Sequence, residues 1–338
     1  MAIPEKIFLD IQPALTQLRD QDVPLSPALL SALSALKKND LTAFAATWIE
    51  LPVERRRRAA QLWVELAEAN AQMDFNALFR YLLNDDDAQV RVSAIDGLWE
   101  DEDPALVKPL IGFLRSDPDA RVRAAAADSL GRFVLLSEYD RLGSSLANLA
   151  HEALFATLRD ALEPAPVRAP ALESLSYSSR DGVRDLLAAA YDSDEAQMRV
   201  SAIAGMGRSA DTSWCETVAA ELDSPDPRMR FEAVRAVGEL ECREQINRVL
   251  EMLDDSDREV QIAAIGALGR IGGKRAKNAL TQIAQADDAV LAPLAEDALA
   301  ELTFYDDLDL PLIELDADDQ ADDKIESDQA ETDEDDEA

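Results

Sequence analysis

Apolar residues recur along this chain at two spacings: every four positions inside a segment, and about every 31 positions from one segment to the next. Each segment opens with an apolar residue, here called the marker. In most segments an alanine follows four positions later, and another apolar residue follows at position eight. These three positions lie on one face of an α-helix. The pattern predicts seven amphipathic helices, whose markers are Val90, Val122, Val167, Met198, Met229, Val260 and Val290.

Helix starts and a second set of apolar segments complete the repeating unit. Aspartate or proline precedes several markers, as in 117–119, and aspartate both caps a helix and suits the positive end of its dipole. A shorter apolar segment upstream of each marker predicts a first helix, so each unit is a helical hairpin. One hairpin cannot bury both of its apolar faces, whereas a stack of hairpins can. The predicted fold class is therefore all-α, a solenoid of about seven hairpins.

The repeat divides the chain into three parts. Residues 1–84 contain helical patterns without the clean repeat and are expected to form a helical cap of degenerate repeats. Residues 85–305 are expected to form the solenoid itself. Residues 306–338 hold 17 acidic residues and one lysine, with few apolar residues, and are expected to form a mostly disordered tail.

Composition narrows the classes of function. The net charge is −35, of which −16 belongs to residues 306–338 and −19 to the rest, so we expect no nucleic acid as the main ligand. No apolar run is long enough to span a membrane. The first ten residues lack a secretory signal pattern, which predicts a cytoplasmic location. A disulfide between the two cysteines, Cys215 and Cys242, is an open alternative, but free thiols are expected.

The unit resembles the HEAT repeats, and in particular the short bacterial subtype that also occurs in phycobilisome lyases. The resemblance rests on D-x-x-V-R-x-x-A-x-x-x-L-G, which reads in full at 119–131 and recurs in register over about 85–300. It implies a ladder between repeats, formed by turn aspartates and the arginine that follows each marker. Gln261 and Leu291 stand in that arginine position in the last two units, so the ladder should fade there. The matching arginines are Arg91, Arg123, Arg168, Arg199 and Arg230.

The resemblance also implies that the second helix of each hairpin lies on the concave side of the solenoid. Positions six and ten after the marker turn away from the buried face. They predict a concave ridge that carries Arg132, Tyr177, Arg208, Arg235 and Arg270. Arginine and tyrosine are enriched where binding energy concentrates, so the ridge is a candidate site for an acidic or extended partner segment. The alternative is that these arginines pair with nearby carboxylates at Asp128, Glu173 and Glu239.

A lone histidine, an insertion and a short apolar segment indicate less about the function. The lone His151 has no neighbouring ligand at metal spacing, and no motif of a catalytic or nucleotide site occurs, so no catalytic residue, metal or cofactor is predicted. The excess length at 135–152 indicates either a binding loop or a longer helix. The apolar residues Leu308, Leu310 and Leu312 either pack on the last repeat or form a linear motif that resembles sliding-clamp-binding peptides, with Asp307 where those peptides carry glutamine.

These observations favour a non-catalytic protein-binding scaffold or adaptor that uses the concave face. The resemblance implies an alternative from another class, a bilin lyase or lyase-like chaperone for a tetrapyrrole-carrying protein. A further alternative is a regulator that presents its acidic tail to a basic protein. The expected partners are proteins, with acidic or extended segments at the concave face and basic segments at the tail.

Overall fold

The computed structural model describes residues 10–307, and within this range every regular element is a helix. The expected tail and the motif at Leu308, Leu310 and Leu312 lie outside the described residues. The helices belong to two compact units that meet in sequence at Leu240 and Glu241. The first unit contains α1 (Gln12–Arg19), α2 (Pro27–Leu30), α3 (Lys38–Trp48), α4 (Val53–Ala69), α5 (Asn76–Leu82), α6 (Ala88–Asp96), α7 (Val107–Ser116), α8 (Ala120–Glu138), α9 (Ser144–Arg159), α10 (Ala165–Leu175), α11 (Val183–Tyr191), α12 (Ala196–Arg208), α13 (Cys215–Ala220) and α14 (Pro227–Glu239). The second contains α15 (Ile246–Glu251), α16 (Arg258–Ile271), α17 (Gly273–Ala284) and α18 (Leu291–Asp307).

Stacked helical hairpins form each unit, as the repeat predicts. In the first unit the second helices pack in chain order, α4 on α6, α6 on α8, then onward through α10 and α12 to α14. In the second unit α16 packs on α18. Single 3-10 turns extend several first helices, for example Glu221–Asp223 after α13 and Met252–Asp254 after α15. The all-α solenoid class predicted from the sequence is confirmed.

The buried face of the second helices is the face that the spacing predicts. The first six markers are each 5% exposed or less, and the alanines four positions later are completely buried. The residues at position eight are equally buried, from Leu98 in the first repeat to Leu268 in the sixth. Within each unit, burial of these apolar residues against neighbouring repeats is the main stabilising term of the stack.

The seventh marker is wrong by one position. Val290 is 50% exposed, whereas Leu291 is 8% exposed and Ala295 is completely buried. The carboxylate of Asp288 accepts hydrogen bonds from the backbone N–H groups of Val290 and Leu291, so this turn starts α18 one residue later than the repeat pattern predicts.

Aspartate caps start four of the second helices. The side chains of Asp87, Asp119, Asp226 and Asp257 each accept a hydrogen bond from a backbone N–H group in the first turn. These bonds satisfy donors that have no partner inside the helix. The cap residues recur at the repeat period, and they fix where each second helix begins.

The arginine run 55–58 stabilises the N-terminal region rather than forming a free cationic patch. Arg55 donates to the carbonyl oxygens of Gln17 and Leu18 at 2.7 and 3.2 Å, at the C-terminal end of α1. Arg56 pairs with the buried Asp85 at 2.6 Å. The remaining two arginines pair with Asp87 and Glu65. The run therefore ties α4 to α1 and to the turn before α6.

The extra residues near 135–152 lengthen two helices. α8 continues to Glu138, well past the end of the repeat motif, and α9 is the longest first helix at 16 residues. The last turns of α8 project beyond the neighbouring α6, which ends at Asp96. This extension helps to form the cavity described below.

The last two comparisons with the sequence concern the cysteines and membrane-spanning helices. Neither Cys215 nor Cys242, both within the described residues, is a free thiol, so that expectation is wrong. Among residues 10–307, no helix combines the length and the apolar character needed to cross a bilayer.

Candidate functional site

A cavity of about 580 Å³ lies along the second helices of the first unit. Its walls come from α6, from α8 and its C-terminal extension, and from the ends of α10 and α12. We call it the second-helix groove. The lining residues that matter below are Asp96, Trp99, Asp128, Arg132, Tyr139, Tyr177 and Arg208.

Two large aromatic side chains at the groove face solvent. Trp99 is 51% exposed and Tyr139 is 67% exposed. The other three tryptophans of the chain are at most 8% exposed. Exposed aromatic groups in a cavity are typical of binding surfaces, because they supply a large contact area at a low cost in side-chain entropy.

Arg132, one of the predicted ridge residues, lines the groove, and its guanidinium contacts the protein itself. It donates to the carbonyl oxygen of Leu98 at 2.8 Å and also to that of Trp99, just beyond the end of α6. It lies over the ring of Phe133 at 4.8 Å. Burial lowers the pKa of Arg132. This side chain therefore caps carbonyl groups after α6 and holds the segment that carries Trp99.

Arg208 and Tyr177 are brought together at the other end of the groove. The guanidinium of Arg208 lies 5.7 Å from the centre of the Tyr177 ring and pairs with Glu173 at 2.8 Å. Desolvation opposes its charge, but the nearby Glu173, Tyr177 and Glu239 outweigh this effect and raise the pKa of Arg208. Its charge is thus already balanced within the protein.

The two remaining ridge arginines, Arg235 and Arg270, are not among the residues that line the groove. Arg235 forms ion pairs inside its own helix, with Glu232 at 3.2 Å and Glu239 at 3.0 Å, and lies over Phe231. Arg270 lies near the end of α16, in the second unit. The contacts of the ridge arginines in the first unit favour the alternative in which they serve internal pairing.

Two carboxylates along the groove differ from the arginines, because their side chains make no such contacts within the described part of the protein. Neither Asp96 nor Asp128 has a hydrogen-bond or ion-pair partner for its side chain among residues 10–307. Asp96 is exposed, but the protein around it partly desolvates the carboxylate and raises its pKa to about 6, helped by the negative charges of Asp128 and Glu68. Desolvation and Glu173 likewise raise the pKa of Asp128, against the influence of two arginines. The groove therefore holds two carboxylates that form no ion pair among the described residues, although Arg208 and Arg132 act on Asp128 electrostatically from a greater distance.

The arginines after the markers make two kinds of contact. Arg91, Arg123 and Arg168 each reach a carboxylate in the turn of the next repeat, at Asp117, Glu163 and Glu195. Arg199 and Arg230 each donate to a carbonyl oxygen six residues back in their own turn, at 2.8 Å. Gln261 makes the same carbonyl contact at 2.7 Å, so it retains this half of the arrangement although it lacks the charge.

His151 is buried between helices and takes part in a hydrogen-bond chain. Its Nδ1 lies 2.7 Å from the carbonyl oxygen of Ala147, and its Nε2 lies 2.9 Å from the hydroxyl of Ser178. Ser178 in turn contacts Glu138. Nδ1 donates to the carbonyl oxygen, since a carbonyl oxygen can only accept. The chain joins α9 to the ends of α8 and α10.

Sequence reasoning missed the aromatic part of this site. From the sequence, Asp128 is expected only as a partner for the arginines, and Asp96 has no expected role. Trp99 and Tyr139 follow their helices outside the repeat pattern, so periodicity gives no signal for them. The one available signal was the excess length at 135–152, which contains Tyr139.

The fold and the repeated turn contacts define an α-helical repeat protein. The family model for HEAT repeats matches residues 75–176 and 215–300, which is more than half of the chain. The chain belongs to the HEAT-repeat family. The comparison with curated proteins gave no match.

Solved structures of repeat proteins are similar to this chain. The CpcE–CpcF complex of phycocyanin lyase from Nostoc sp. PCC7120 is 18% identical, with 84% of this chain and 97% of that chain covered and a TM-score of 0.39. The E. coli protein YibA is 20% identical, with 70% and 96% covered and a TM-score of 0.41. A designed armadillo repeat protein is 19% identical, with 58% and 99% covered and a TM-score of 0.37. At these values the similarities carry no argument about function.

Proposed function

We propose that this protein is a non-catalytic scaffold that binds a partner protein in the second-helix groove. The observation that supports the proposal most strongly is the groove itself, a cavity of about 580 Å³ with Trp99 and Tyr139 exposed at its edge. Binding pockets typically have volumes of several hundred cubic ångströms, and this cavity falls in that range, with a lining that mixes apolar and aromatic residues with many polar and charged ones.

The extended α8 supports the same assignment. Repeat arrays tolerate inserted residues where they do not disturb the stacking, and such insertions often serve the binding face. Here the inserted length carries Leu135, Leu136 and Tyr139 into the wall of the groove.

Affinity capture with matched variants tests the proposal. The full chain is compared with the double variant Trp99→Ala and Tyr139→Ala, and with the control Ile49→Ala and Leu162→Ala. The control residues are also exposed, at 75% and 93%, but do not line the groove. We expect the groove variant to lose specific partners that the control retains. If both folded variants capture the same partners as the parent protein, the groove is not the binding site.

The groove variant also distinguishes the proposal from the alternatives drawn from the sequence, when it is combined with two further measurements. A lyase or lyase-like chaperone should change the absorbance spectrum of a tetrapyrrole on titration. If the tetrapyrrole site lies outside the groove, the groove variant should give the same spectral change as the parent protein. A regulator that acts through residues 306–338 should lose its partners when that segment is deleted, and keep them in the groove variant.

A further inference from the structure

We propose that the second-helix groove binds an extended segment through its lysine or arginine side chains. The cationic groups lie between Asp96 and Asp128, and the methylene chains pack on Trp99 and Tyr139. This inference rests on the proposed function and specifies the chemistry of the partner. It replaces the expectation of an acidic segment at this face.

The charges in the groove favour a cationic occupant. The arginines of the groove are engaged by the protein: Arg132 by carbonyl oxygens, Arg141 by Glu102 and Arg208 by Glu173. The two aspartates have no such partner among the described residues. The charges that bear on Asp96 come from Asp128 and Glu68, and both are negative. Asp128 experiences the negative charge of Glu173 and the opposing charges of Arg208 and Arg132, which are themselves engaged elsewhere. A cation between the aspartates relieves this repulsion, whereas an acidic segment would increase it.

The exposed aromatics suit the rest of a lysine or arginine side chain. Such side chains pack their methylene groups on apolar surface while the charged end remains at a polar group. An ammonium or guanidinium group is also attracted to the face of an indole or phenol ring. Trp99 and Tyr139 therefore offer the complementary surface next to the two carboxylates.

Repeat geometry suggests how the cationic residues are spaced. Neighbouring packed helices lie about 8–10 Å apart. A polyproline II segment places every third side chain on the same side at a separation of about 9 Å. Asp96 lies on α6 and Asp128 at the equivalent position of α8, one repeat further on. A segment with a cationic residue at every third position therefore matches the two carboxylates.

The acidic segment of this chain does not fit the groove. Residues 306–338 carry 17 acidic residues and one lysine, so their charge has the same sign as the unpaired aspartates. The groove is thus suited to a segment of another protein.

Tryptophan fluorescence of the full chain with a defined peptide tests the inference. The probe is an acetylated and amidated peptide with lysine at every third position and proline between. Because the other tryptophans are buried, we expect binding to shift the emission of Trp99, and the Trp99→Phe variant to lose this signal. A peptide with glutamate in place of lysine should not bind.

Charge-matched variants separate binding at the groove from general attraction to an acidic protein. The variant Asp96→Asn with Asp128→Asn should bind the lysine peptide roughly tenfold or more weakly, since both cation partners are removed. The control Glu152→Gln with Asp181→Asn removes the same charge from exposed positions outside the groove and should bind almost as well as the parent protein.

Two results would overturn the inference. An equal loss of affinity in both variants would mean that overall charge attracts the peptide. A Trp99 shift of equal size and affinity with the glutamate peptide would show a peptide groove without preference for cations, which leaves the proposed function intact. The proposed function fails separately, if the groove variants capture the same partners as the parent protein.

Discussion

At the residue scale, the ionised carboxylate of Asp96 is expected to lower the free energy of unfolding, while it serves binding in the groove. Its pKa is raised to about 6 from an ordinary value of 3.8, so the folded state disfavours the ionised form. Ionisation therefore destabilises the fold above pH 6, and this cost decreases as the pH falls. Unpaired groups with shifted pKa values are typical of functional sites.

The variant Asp96→Asn should accordingly be more stable than the parent protein. We expect the free energy of unfolding at pH 7.5 to rise by about 1 kcal/mol, a value reduced from the full pKa shift because solvent reaches the carboxylate. The advantage should shrink toward pH 5, where the folded parent protein is mostly protonated at this position. Urea unfolding at the two pH values measures this. A variant that is less stable at pH 7.5 would contradict the assignment.

His151 should make stability depend on pH in the opposite direction. Desolvation lowers the pKa of His151 below the ordinary value of 6.5, and the charge of Arg180 lowers it further. The hydrogen bond to Ala147 and the charge of Glu138 raise the pKa and only partly offset this effect. As the pH falls through 6.5, the unfolded chain binds a proton that the folded chain does not, so the free energy of unfolding falls. The variant His151→Gln cannot titrate and should show a smaller loss between pH 7 and 5.5 in the same measurement. An unchanged pH profile would exclude this role.

At the element scale, the close approach of α12 and α14 depends on Gly207. A Cβ atom at this position would lie 2.7 Å from the Cα atom of Ala236, and the backbone there cannot move without shifting the helix. Gly207→Ala should therefore lower the midpoint of unfolding. Gly112, in α7, has open space around it, so Gly112→Ala should stabilise the protein by about 0.5–1 kcal/mol through helix propensity. Thermal unfolding compares the two, and equal effects would show that α12 and α14 are not in close contact.

The turn arginines should differ in their contribution to stability. Arg91 forms a two-point pair with Asp117, and both side chains are nearly buried. Arg91→Ala leaves that carboxylate without its cation and should cost about 3 kcal/mol. Arg199 donates only to a carbonyl oxygen within the described residues, and Arg199→Ala should cost about 1 kcal/mol. Urea unfolding that gives equal costs would contradict a ladder formed mainly by carboxylate pairs.

The elements were more predictable from the sequence than the site was. Apolar spacing identified the buried face in six repeats, because the same stacking contact recurs and selects the same residue types. It failed at Val290, where the cap by Asp288 shifts the helix start. Which carboxylate each ridge arginine contacts, such as Glu173 for Arg208, depends on the distance between neighbouring helices, which no single helix pattern contains.

At the scale of the whole molecule, the acidic segment and the groove should act independently. Deletion of 316–338 removes a like-charged segment with almost no apolar residues, so we expect the helical melting transition to remain nearly unchanged. The deletion should weaken non-specific attraction of cationic peptides. This attraction should also weaken at physiological salt, where screening acts over about 8 Å. Circular dichroism that shows a large loss of thermal stability would mean instead that the segment packs on the helices.

Photo-crosslinking from the groove shows directly which partner segment binds there. A photoreactive phenylalanine derivative replaces Trp99 in one protein and Leu162, exposed outside the groove, in another, and partners from the native cell extract are crosslinked to each. We expect that position 99 crosslinks to a segment rich in lysine or arginine and that position 162 does not crosslink to that segment. Crosslinks of the same segment from both positions, or crosslinks from position 162 alone, would contradict the assignment of the second-helix groove as the binding site.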